Sequence, residues 1–541
     1  MKRSAAKRVD RHLFVAEAVL LILLSLSPLC PSAMAQAHVE GQWSTLPYPM
    51  PINPIHASLL HTGQVLVVSG SGNVASNTDY LSAIWDPQAG SVTLQDVNWD
   101  MFCNGMIVLP DGRPFVLGGT LQYDPFYGSP RTSTYDAGTR SFVDLENMAH
   151  GRWYPTATTN GDGSIMVFSG LDDTGRTNTA VELYQVGSGW SRPYGAPWTP
   201  PLYPRMHLLP NGTVFYAGPT AASSLFDPST ARWTMNVAYT NYGNRRTYGA
   251  SVLLPLTPDN GYTPRVMILG GGDPATETTE IIDLSVDNPA WQWSDSMSQP
   301  RIQMNAVILP NGNVLALGGS AYNEDVTTAS LTADLFDPGT GTFSSAGAGA
   351  YPRLYHSVAL LLPDATVWVA GGNPSRGTYE QHMEIYSPAY LFTTDADGNT
   401  IPATQPTITS VTPPQGIGYG GSFQVQTPNA ADIASVVLVR PGSVTHAFDM
   451  DQRLVGLSFT AGDGLLNVNG PANGNIAPPG YYMLFILNTA GVPSVATFVQ
   501  VSPAPTAHAP AGMTADSASE SAVGGLFGPG GVDRSPGSKG T

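Results

Sequence analysis

Between residues 55 and 372 the chain repeats one pattern of apolar and polar positions. Each copy has a short apolar run, a polar turn, usually closed by glycine, a second apolar run, and then a Gly-Gly, Ser-Gly or Ala-Gly pair. Short apolar runs separated by Gly, Pro, Asn and Asp are typical of β-strands joined by tight turns. The pattern therefore predicts an all-β fold built from one repeated strand–turn–strand unit.

The spacing of the repeat predicts its architecture. The closing glycines are Gly70, Gly119, Gly170, Gly218, Gly271, Gly319 and Gly372, with differences of 49, 51, 48, 53, 48 and 53 residues. A period of about 50 residues is typical of kelch repeats, which form propeller blades of four strands. Seven copies predict a seven-bladed kelch-type β-propeller over residues 36–402. Trp43 and Leu46 resemble the last strand of a blade, and we expect them to complete the final one.

Three further segments flank or follow the repeat. Residues 403–502 contain short alternating strands, such as 435–439 and 481–487, and predict an immunoglobulin-like (early-set) β-sandwich. Residues 503–541 are rich in Ala, Pro, Gly and Ser and predict a disordered tail. Residues 1–35 combine a basic head, an apolar stretch and the small-residue site Ala33-Met34-Ala35, which predicts a cleaved secretory signal peptide.

Charge excludes several functions. The chain has 23 basic and 40 acidic residues, a net charge of −17; without the five basic and two acidic residues of the signal, 18 − 38 gives −20. Lys539 is then the only lysine, which excludes a Schiff base within the fold. So acidic a protein is not expected to bind nucleic acid phosphates.

No second apolar run approaches the roughly 20 residues of a membrane span. We expect a secreted, extracellular monomer with no transmembrane segment.

The repeat register gathers reactive side chains. Counting back nine residues from the turn glycine of a repeat gives Cys103, Tyr154, Tyr203 and Gln303; from Ala365, at the turn of the seventh repeat, it gives His356, beside Tyr355. Equivalent positions in a radial repeat lie at one height around the axis. Taken singly, these residues are explained by packing, and Cys103 by burial as a small apolar group. Together they have the composition of a copper or iron site.

Five short runs resemble a known family. They are Asp100-Met101-Phe102-Cys103, Arg152-Trp153-Tyr154-Pro155, Tyr355-His356-Ser357, Thr445-His446 and Asp451-Gln452-Arg453. These runs are similar, in the same order, to those of the copper radical oxidases, the family of galactose oxidase and glyoxal oxidase. The resemblance extends over residues 40–502.

The resemblance implies a site and a reaction. Tyr154, Tyr355, His356 and His446 would bind one Cu²⁺ ion, and Cys103 would form a thioether with Tyr154, giving a cross-linked tyrosyl radical cofactor. Cys103, Tyr154 and Tyr355 would be catalytic, with Tyr355 taking the hydroxyl proton of the substrate. Molecular oxygen would reoxidise the site and leave as hydrogen peroxide. His446 lies beyond the repeat, so its loop must reach into the propeller.

Two departures from the family favour the glyoxal oxidase type. Gly170 is followed by Leu171-Asp172, where many members place a tryptophan that stacks over the radical; Trp153 is a candidate replacement. The sugar-binding domain and the Gln-Arg-Arg run of galactose-oxidising members are missing, and Ser320-Ala321-Tyr322 stands in place of that run. We therefore expect a small aldehyde, oxidised as its hydrate, or a simple primary alcohol as substrate, with O₂.

Two alternatives remain at this point: a galactose-oxidase-like carbohydrate oxidase, and a non-catalytic kelch propeller that serves as a scaffold or binds glycans. The remaining histidines are interpreted as structural or exposed; they are His38, His56, His61, His150, His207, His382 and His508. His207 and His56 would be the next candidate ligands if His446 were not one.

Overall fold

The computed structural model describes residues 36–414 and 416–502. The signal peptide and the tail predicted from the sequence lie outside these residues. Within them, helix is limited to Ala37–Glu40 and to the 3₁₀ turns Val326–Thr328, Ala389–Leu391 and Ala430–Asp432. None of the described helices has the length and apolar character needed to cross a membrane. The described chain is all-β, as the sequence predicts.

Seven antiparallel sheets follow one another along the chain, with strands numbered β1–β44 in chain order. The first sheet contains β2 (His56–Leu59), β3 (Val65–Gly70), β4 (Leu81–Asp86) and β5 (Ser91–Asp96). The second contains β6 (Gly105–Val108), β7 (Pro114–Leu117), β10 (Thr132–Asp136) and β11 (Ser141–Asp144). The third contains β12 (Thr156–Thr159), β13 (Ile165–Phe168), β14 (Ala180–Gln185), β15 (Gly189–Trp190) and β16 (Tyr194–Gly195). A hairpin, β8 (Thr120–Gln122) and β9 (Tyr127–Gly128), lies between β7 and β10.

The next four sheets follow the same order. The fourth sheet contains β17 (Arg205–Leu208), β18 (Val214–Gly218), β19 (Ala222–Asp227) and β20 (Arg232–Tyr239), and the fifth contains β21 (Ala250–Leu253), β22 (Arg265–Leu269), β23 (Thr279–Asp283) and β24 (Trp291–Trp293). The sixth contains β25 (Ile302–Ile308), β26 (Val314–Ser320), β27 (Thr332–Asp337) and β28 (Thr342–Ala348). The seventh contains β29 (Val358–Leu361), β30 (Val367–Ala370), β31 (Glu384–Ser387) and β1 (Gln42–Thr45).

The seventh sheet is completed from the other end of the described chain. Strand β1 pairs antiparallel with β31, and Trp43 lies opposite Tyr386, their rings 5.0 Å apart. The indole nitrogen of Trp43 also donates to the carbonyl of Ala346, on the sixth sheet, at 2.8 Å. The prediction that the segment around Trp43 supplies the last strand is confirmed.

The core runs along the first strands of the seven sheets. Strand β6, for example, is buried at every position, whereas the outer strand β11 is partly or fully exposed. The first strands also contact one another between sheets, β2 with β6, β6 with β12, β12 with β17, β21 with β25, β25 with β29 and β29 with β2. Residues that directly precede these first strands are therefore brought close together.

Residues 410–502 form two further sheets with a shared apolar core. One contains β34 (Ser410–Thr412), β36 (Ser422–Gln426), β42 (Leu465–Asn469) and β41 (Phe459–Ala461); the other contains β35 (Ile417–Gly418), β44 (Thr497–Ser502), β43 (Gly480–Asn488), β37 (Ile433–Arg440) and β40 (Arg453–Leu457). The short hairpin β32 (Phe392–Thr394) and β33 (Thr400–Pro402) precedes them. The two strands predicted at 435–439 and 481–487 lie within β37 and β43.

One hairpin of this second region joins the first sheet. Strands β38 (Ser443–Thr445) and β39 (Phe448–Asp449) extend it to six strands, with β38 pairing with β2 so that Thr445 lies opposite His56. His446 lies in the turn between β38 and β39. The hairpin is held at its base by a buried ion pair between Arg440 and Asp451 at 2.9 Å. Strand pairing thus carries His446 to the start of the repeat region.

Four buried ion pairs recur at one position of the repeat. They are Arg152–Glu182, Arg246–Glu280, Arg301–Asp334 and Arg353–Glu384, at 2.7, 2.9, 2.8 and 2.6 Å. In the third sheet, Arg152 also donates to the carbonyls of Ser169 and Ala180, and its own carbonyl accepts from Gly119 of the preceding sheet. Each arginine therefore joins strands of its own sheet, and this one also bonds to the sheet before it.

Breaking one of these pairs should destabilise the fold. Arg301→Met leaves Asp334 buried without its cation and is expected to lower the free energy of unfolding by about 3–5 kcal/mol. Arg301→Met/Asp334→Leu removes both charges and should recover most of that loss. Urea unfolding followed by tryptophan fluorescence measures both variants. As a control, Arg131→Met breaks an exposed pair with Asp144 and should cost less than about 1 kcal/mol. Equal losses for the Arg301 and Arg131 variants would contradict this account.

Candidate metal centre

The register positions share an unusual backbone conformation. Cys103, Tyr154, Tyr203, Gln303 and His356 have φ angles of 61, 67, 45, 62 and 65°, in the left-handed region that side chains other than glycine rarely adopt. The amide of Tyr154 donates to the carbonyl of Cys103 at 3.0 Å, and that of Tyr203 to the carbonyl of Tyr154 at 2.9 Å. Hydrogen bonds between neighbouring sheets thus join the first three of these residues in a row.

Five of the predicted side chains meet beside this row: Cys103, Tyr154, Tyr355, His356 and His446. Nε2 of His446 lies 3.1 Å from the hydroxyl oxygen of Tyr154 and 3.7 Å from Sγ of Cys103. The hydroxyls of Tyr154 and Tyr355 are hydrogen-bonded to each other. One ligand atom from each of Cys103, His356 and His446 lies within 4.8 Å of the other two. Two imidazoles, two phenols and a thiol therefore surround one small volume.

Hydrogen bonds on the far side of both imidazoles orient them. The hydroxyl of Thr445 donates to the carbonyl of Ile55 at 3.0 Å, so it accepts from Nδ1 of His446 at 2.6 Å. The side-chain oxygen of Asn373 accepts from Nδ1 of His356 at 2.6 Å. Because each Nδ1 carries the hydrogen, each Nε2 presents a lone pair. Nε2 of His356 is buried and has no hydrogen-bond partner among the residues that the structure describes.

Burial keeps these donors neutral. It lowers the pKa of His356 to about 3, and it lowers the pKa of His446 well below its usual value, with further contributions from His356, His56 and Arg205. Burial also raises the pKa of Cys103 and of Tyr355 well above their usual values. Nitrogen, phenol oxygen and sulfur are ligands that suit copper, and a bound cation would lower the pKa of the phenols. The residues present therefore fit a copper ion.

An aromatic stack covers Tyr154. The ring of Trp153 lies 3.7 Å from that of Tyr154, nearly parallel at 14°, and Phe126 lies 4.1 Å beyond it at 15°. Trp153, named from the sequence as a candidate, thus supplies the stacked indole from the residue directly before the tyrosine. Tyr203 contacts Tyr154 with a ring separation of 4.5 Å.

The tyrosines open onto a pocket. Its volume is about 410 Å³, and its lining residues are Asn73, Phe102, Phe126, Trp153, Tyr154, Leu202, Tyr248, Glu324, Tyr355 and Arg376. Arg376 is paired with the exposed Asp124 at 3.0 Å. The pocket is wide enough for a small organic molecule, which would contact Tyr154 and Tyr355. A crevice of about 460 Å³, lined by residues such as Arg265 and Asn488, contains none of the clustered side chains.

Sequence analysis missed Tyr248 in the fifth repeat. It has a φ of 50°, its carbonyl accepts from Gln303 at 2.9 Å, and its ring lies 5.6 Å from that of Tyr355. The count of nine residues failed because the turn between β21 and β22 is longer than in the other repeats. Arg246 could have identified it, since the paired arginines precede Tyr154, Gln303 and Tyr355 by two residues as well.

Two register residues point their polar groups elsewhere. The hydroxyl of Tyr203 donates to the carbonyl of Asn104 at 2.7 Å, and Nε2 of Gln303 donates to Asn323 at 2.7 Å. Of the alternative histidines, His56 is fully buried with its ring 6.0 Å from that of His446, and neither of its nitrogens has a hydrogen-bond partner in residues 36–414 and 416–502. His207 is bonded to Ser251 at 2.7 Å. His38, His150 and His382 are exposed, His61 is half-buried, and His508 lies outside the described residues.

Comparison with known proteins places the chain in a family. Residues 71–390 match the family described as Glyoxal oxidase N-terminus, and residues 405–501 match the Galactose oxidase-like, Early set domain. A galactose oxidase of Gibberella zeae is 29% identical over 85% of this chain and 70% of its own length, and an aldehyde oxidase (GLOX) of Vitis pseudoreticulata is 31% identical over 78% and 86%.

A solved structure is also similar. It is a fungal alcohol oxidase of the AA5 family in complex with copper, 28% identical, with a TM-score of 0.74 over 86% of this chain and 100% of that one. The first of the two families accounts for more than half of the chain, and the plant aldehyde oxidase aligns over most of both sequences. The chain therefore belongs to the glyoxal oxidase and galactose oxidase family, and it is an oxidase.

Proposed function

We propose that the protein is a secreted mononuclear copper radical oxidase that oxidises small aldehydes, as their hydrates, or primary alcohols, and reduces O₂ to hydrogen peroxide. Copper would be held by Tyr154, Tyr355, His356 and His446. The observation that carries this proposal is the convergence of the two Nε2 lone pairs and the two phenol oxygens in one buried volume beside Cys103. The copper complex of the similar alcohol oxidase supports the choice of metal.

The domain organisation inferred from the sequence is part of this proposal. We infer that the seven sheets are the blades of a kelch-type propeller over residues 36–402, followed by an early-set sandwich over 403–502. Residues 1–35 would direct export, and residues 503–541 would form the tail. The contacts between first strands of successive sheets support the propeller, and the match of residues 405–501 supports the sandwich.

The oxidation removes two electrons and two protons from the substrate and delivers them to O₂. Copper, when bound, supplies a one-electron redox couple and lowers the pKa of oxygen atoms bound to it. Tyr355 lines the pocket and would accept the hydroxyl proton of the substrate. Tyr154, joined through its ring to Cys103, would store the second oxidising equivalent as a radical. Trp153 and Phe126 would keep water away from that ring, since they cover its face.

The pocket supports small substrates. Apolar side chains make up much of its wall, and the half-buried carboxyl of Glu324 lies in the loop that follows β26. In that loop the Gln-Arg-Arg run of galactose-oxidising members is replaced by Ser320-Ala321-Tyr322. A galactose-oxidase-like carbohydrate oxidase is the second candidate, favoured by the 29% identity with the Gibberella enzyme.

The thioether can be tested by mass. Its formation joins Sγ of Cys103 to a ring carbon of Tyr154, releases two hydrogen atoms and reduces one O₂ to hydrogen peroxide. Protein treated with copper in air should therefore be lighter than the sequence mass by two hydrogen atoms, and Cys103 should resist alkylation in denaturant. Tyr154→Phe is the control and should leave Cys103 reactive. A freely alkylated Cys103 in active enzyme would disprove the cross-link.

The ligand set can be tested by substitution. His446→Ala should fold and keep the melting temperature of the metal-free protein, but lose tight copper binding and peroxide production. His207→Ala removes a partly buried histidine bonded to Ser251 and is the matched control, for which copper binding should persist. Tyr355→Phe should retain copper while turnover falls about 10²–10⁴-fold, because the proposed base is lost. Stoichiometric copper with full activity in His446→Ala would show that the ligand set is wrong.

The substrate class can be tested by kinetics. We expect kcat/KM for methylglyoxal to exceed that for D-galactose, since the residues that galactose-oxidising members carry after the sixth repeat are absent. Peroxide release in a coupled assay measures both substrates on the same copper-loaded sample. A ten-fold preference for galactose, about 1.4 kcal/mol of transition-state discrimination, would instead establish the carbohydrate oxidase.

A further inference from the structure

Arg205 is a buried cation whose hydrogen-bond partners, within the described part of the chain, are all backbone carbonyls. It is 3% exposed, and its Nε and Nη2 donate to the carbonyl of Gly249 at 3.1 and 3.0 Å. Nη1 donates to the carbonyl of Tyr203 at 3.2 Å, and Nη2 donates to that of His446 at 3.1 Å. Among the described residues, no carboxylate forms an ion pair with it. One guanidinium thus joins the fourth sheet, the fifth sheet and the hairpin turn.

The missing carboxylate distinguishes Arg205 from the four paired arginines. The paired Arg152 and Arg301 lie two residues before the register residues Tyr154 and Gln303, whereas Arg205 lies two residues after Tyr203. The other groups facing Arg205 are Tyr203, Tyr216, Tyr248 and His207, together with the ring of Phe448 at 5.2 Å. Burying a charge without a carboxylate partner costs several kcal/mol.

The three carbonyls lie beside the proposed copper site. His446 is a proposed ligand, Tyr203 contacts the ring of Tyr154, and Gly249 follows Tyr248, which contacts Tyr355. Burial lowers the pKa of Arg205 to about 10, so the guanidinium remains charged at neutral pH. A positive charge at this point makes nearby tyrosines harder to oxidise, because it opposes the removal of an electron from them.

We propose that Arg205 is a positioning residue of the oxidase site. It fixes the turn that carries His446, and it places an uncompensated positive charge next to Tyr203 and Tyr248, the tyrosines that contact Tyr154 and Tyr355. The proposal rests on the proposed function, because it takes His446 as a ligand. It assigns to the fourth repeat, which supplies none of the proposed ligands, a part in setting copper affinity and the potential of the tyrosyl radical.

The test compares two buried arginines of the same kind. Arg453 also lacks a carboxylate partner among the described residues and donates to three backbone carbonyls, those of Ile476, Leu208 and Asn475, none of which belongs to the cluster. Arg205→Met and Arg453→Met each remove a buried cation and its hydrogen bonds. The melting temperature without metal therefore reports the structural cost of each substitution.

Copper affinity is measured by competition with a chelator, and the radical potential by redox titration of the copper-loaded protein. Arg205→Met should bind copper about 10- to 100-fold more weakly and show a lower radical potential. Arg453→Met should stay within about two-fold of the wild type in affinity, since its carbonyls do not hold a ligand. Arg205→Lys keeps the charge and should recover most of the potential but less of the affinity.

Two results would overturn the inference, and they differ from failure of the proposed function. Arg205→Met with wild-type affinity and potential would show that Arg205 has no role at the site. Equal losses of copper affinity in Arg205→Met and Arg453→Met would show that both arginines act only through the stability of the fold. If instead His446→Ala bound copper as tightly as the wild type, His446 would not be a ligand, and the proposed function would fail first.

Discussion

The buried arginine–carboxylate pair is the interaction on which the geometry of the site depends. In four repeats an arginine is fixed by a carboxylate of its own sheet and by carbonyls near its glycine pair, and two residues later the chain reaches a residue at the inner end of the sheet, beside the site. These are Tyr154, Tyr248, Gln303 and Tyr355. A charged pair with several hydrogen bonds has little freedom to shift. The arginine therefore holds the segment that follows it in place, and the site inherits its rigidity from the repeat.

The second constraint is strand pairing between the two parts of the described chain. His446 reaches the row because β38 adds to β2, and the ion pair of Arg440 with Asp451 closes the base of that hairpin. Backbone pairing fixes register to within one residue, because a slip of one position reverses every side chain. His446 is thus delivered to the cluster by main-chain hydrogen bonds, and Thr445, its neighbour on the paired strand, orients its imidazole.

What could be predicted from the sequence depends on how far apart along the chain the interacting residues lie. The all-β class, the closing strand around Trp43 and the row of Cys103, Tyr154 and His356 depend on a local pattern repeated at a fixed spacing. Tyr248 was missed because one longer turn breaks the count. The hydrogen bond of Arg205 to His446 joins residues 241 positions apart and has no local signal. The hydrogen bond that Nδ1 of His356 donates to Asn373, 17 positions further along the chain, also has no signal in the repeat pattern.

The claim at the centre of this account is that one copper ion lies among Tyr154, Tyr355, His356 and His446, beside a Cys103–Tyr154 cross-link. An anomalous difference map, recorded at the copper absorption edge from crystals of the copper-loaded protein, tests it most directly. The account predicts one strong peak bordered by the Nε2 atoms of His356 and His446, with continuous electron density from Sγ of Cys103 to the ring of Tyr154. A peak at other residues, or none in this cluster, would contradict it.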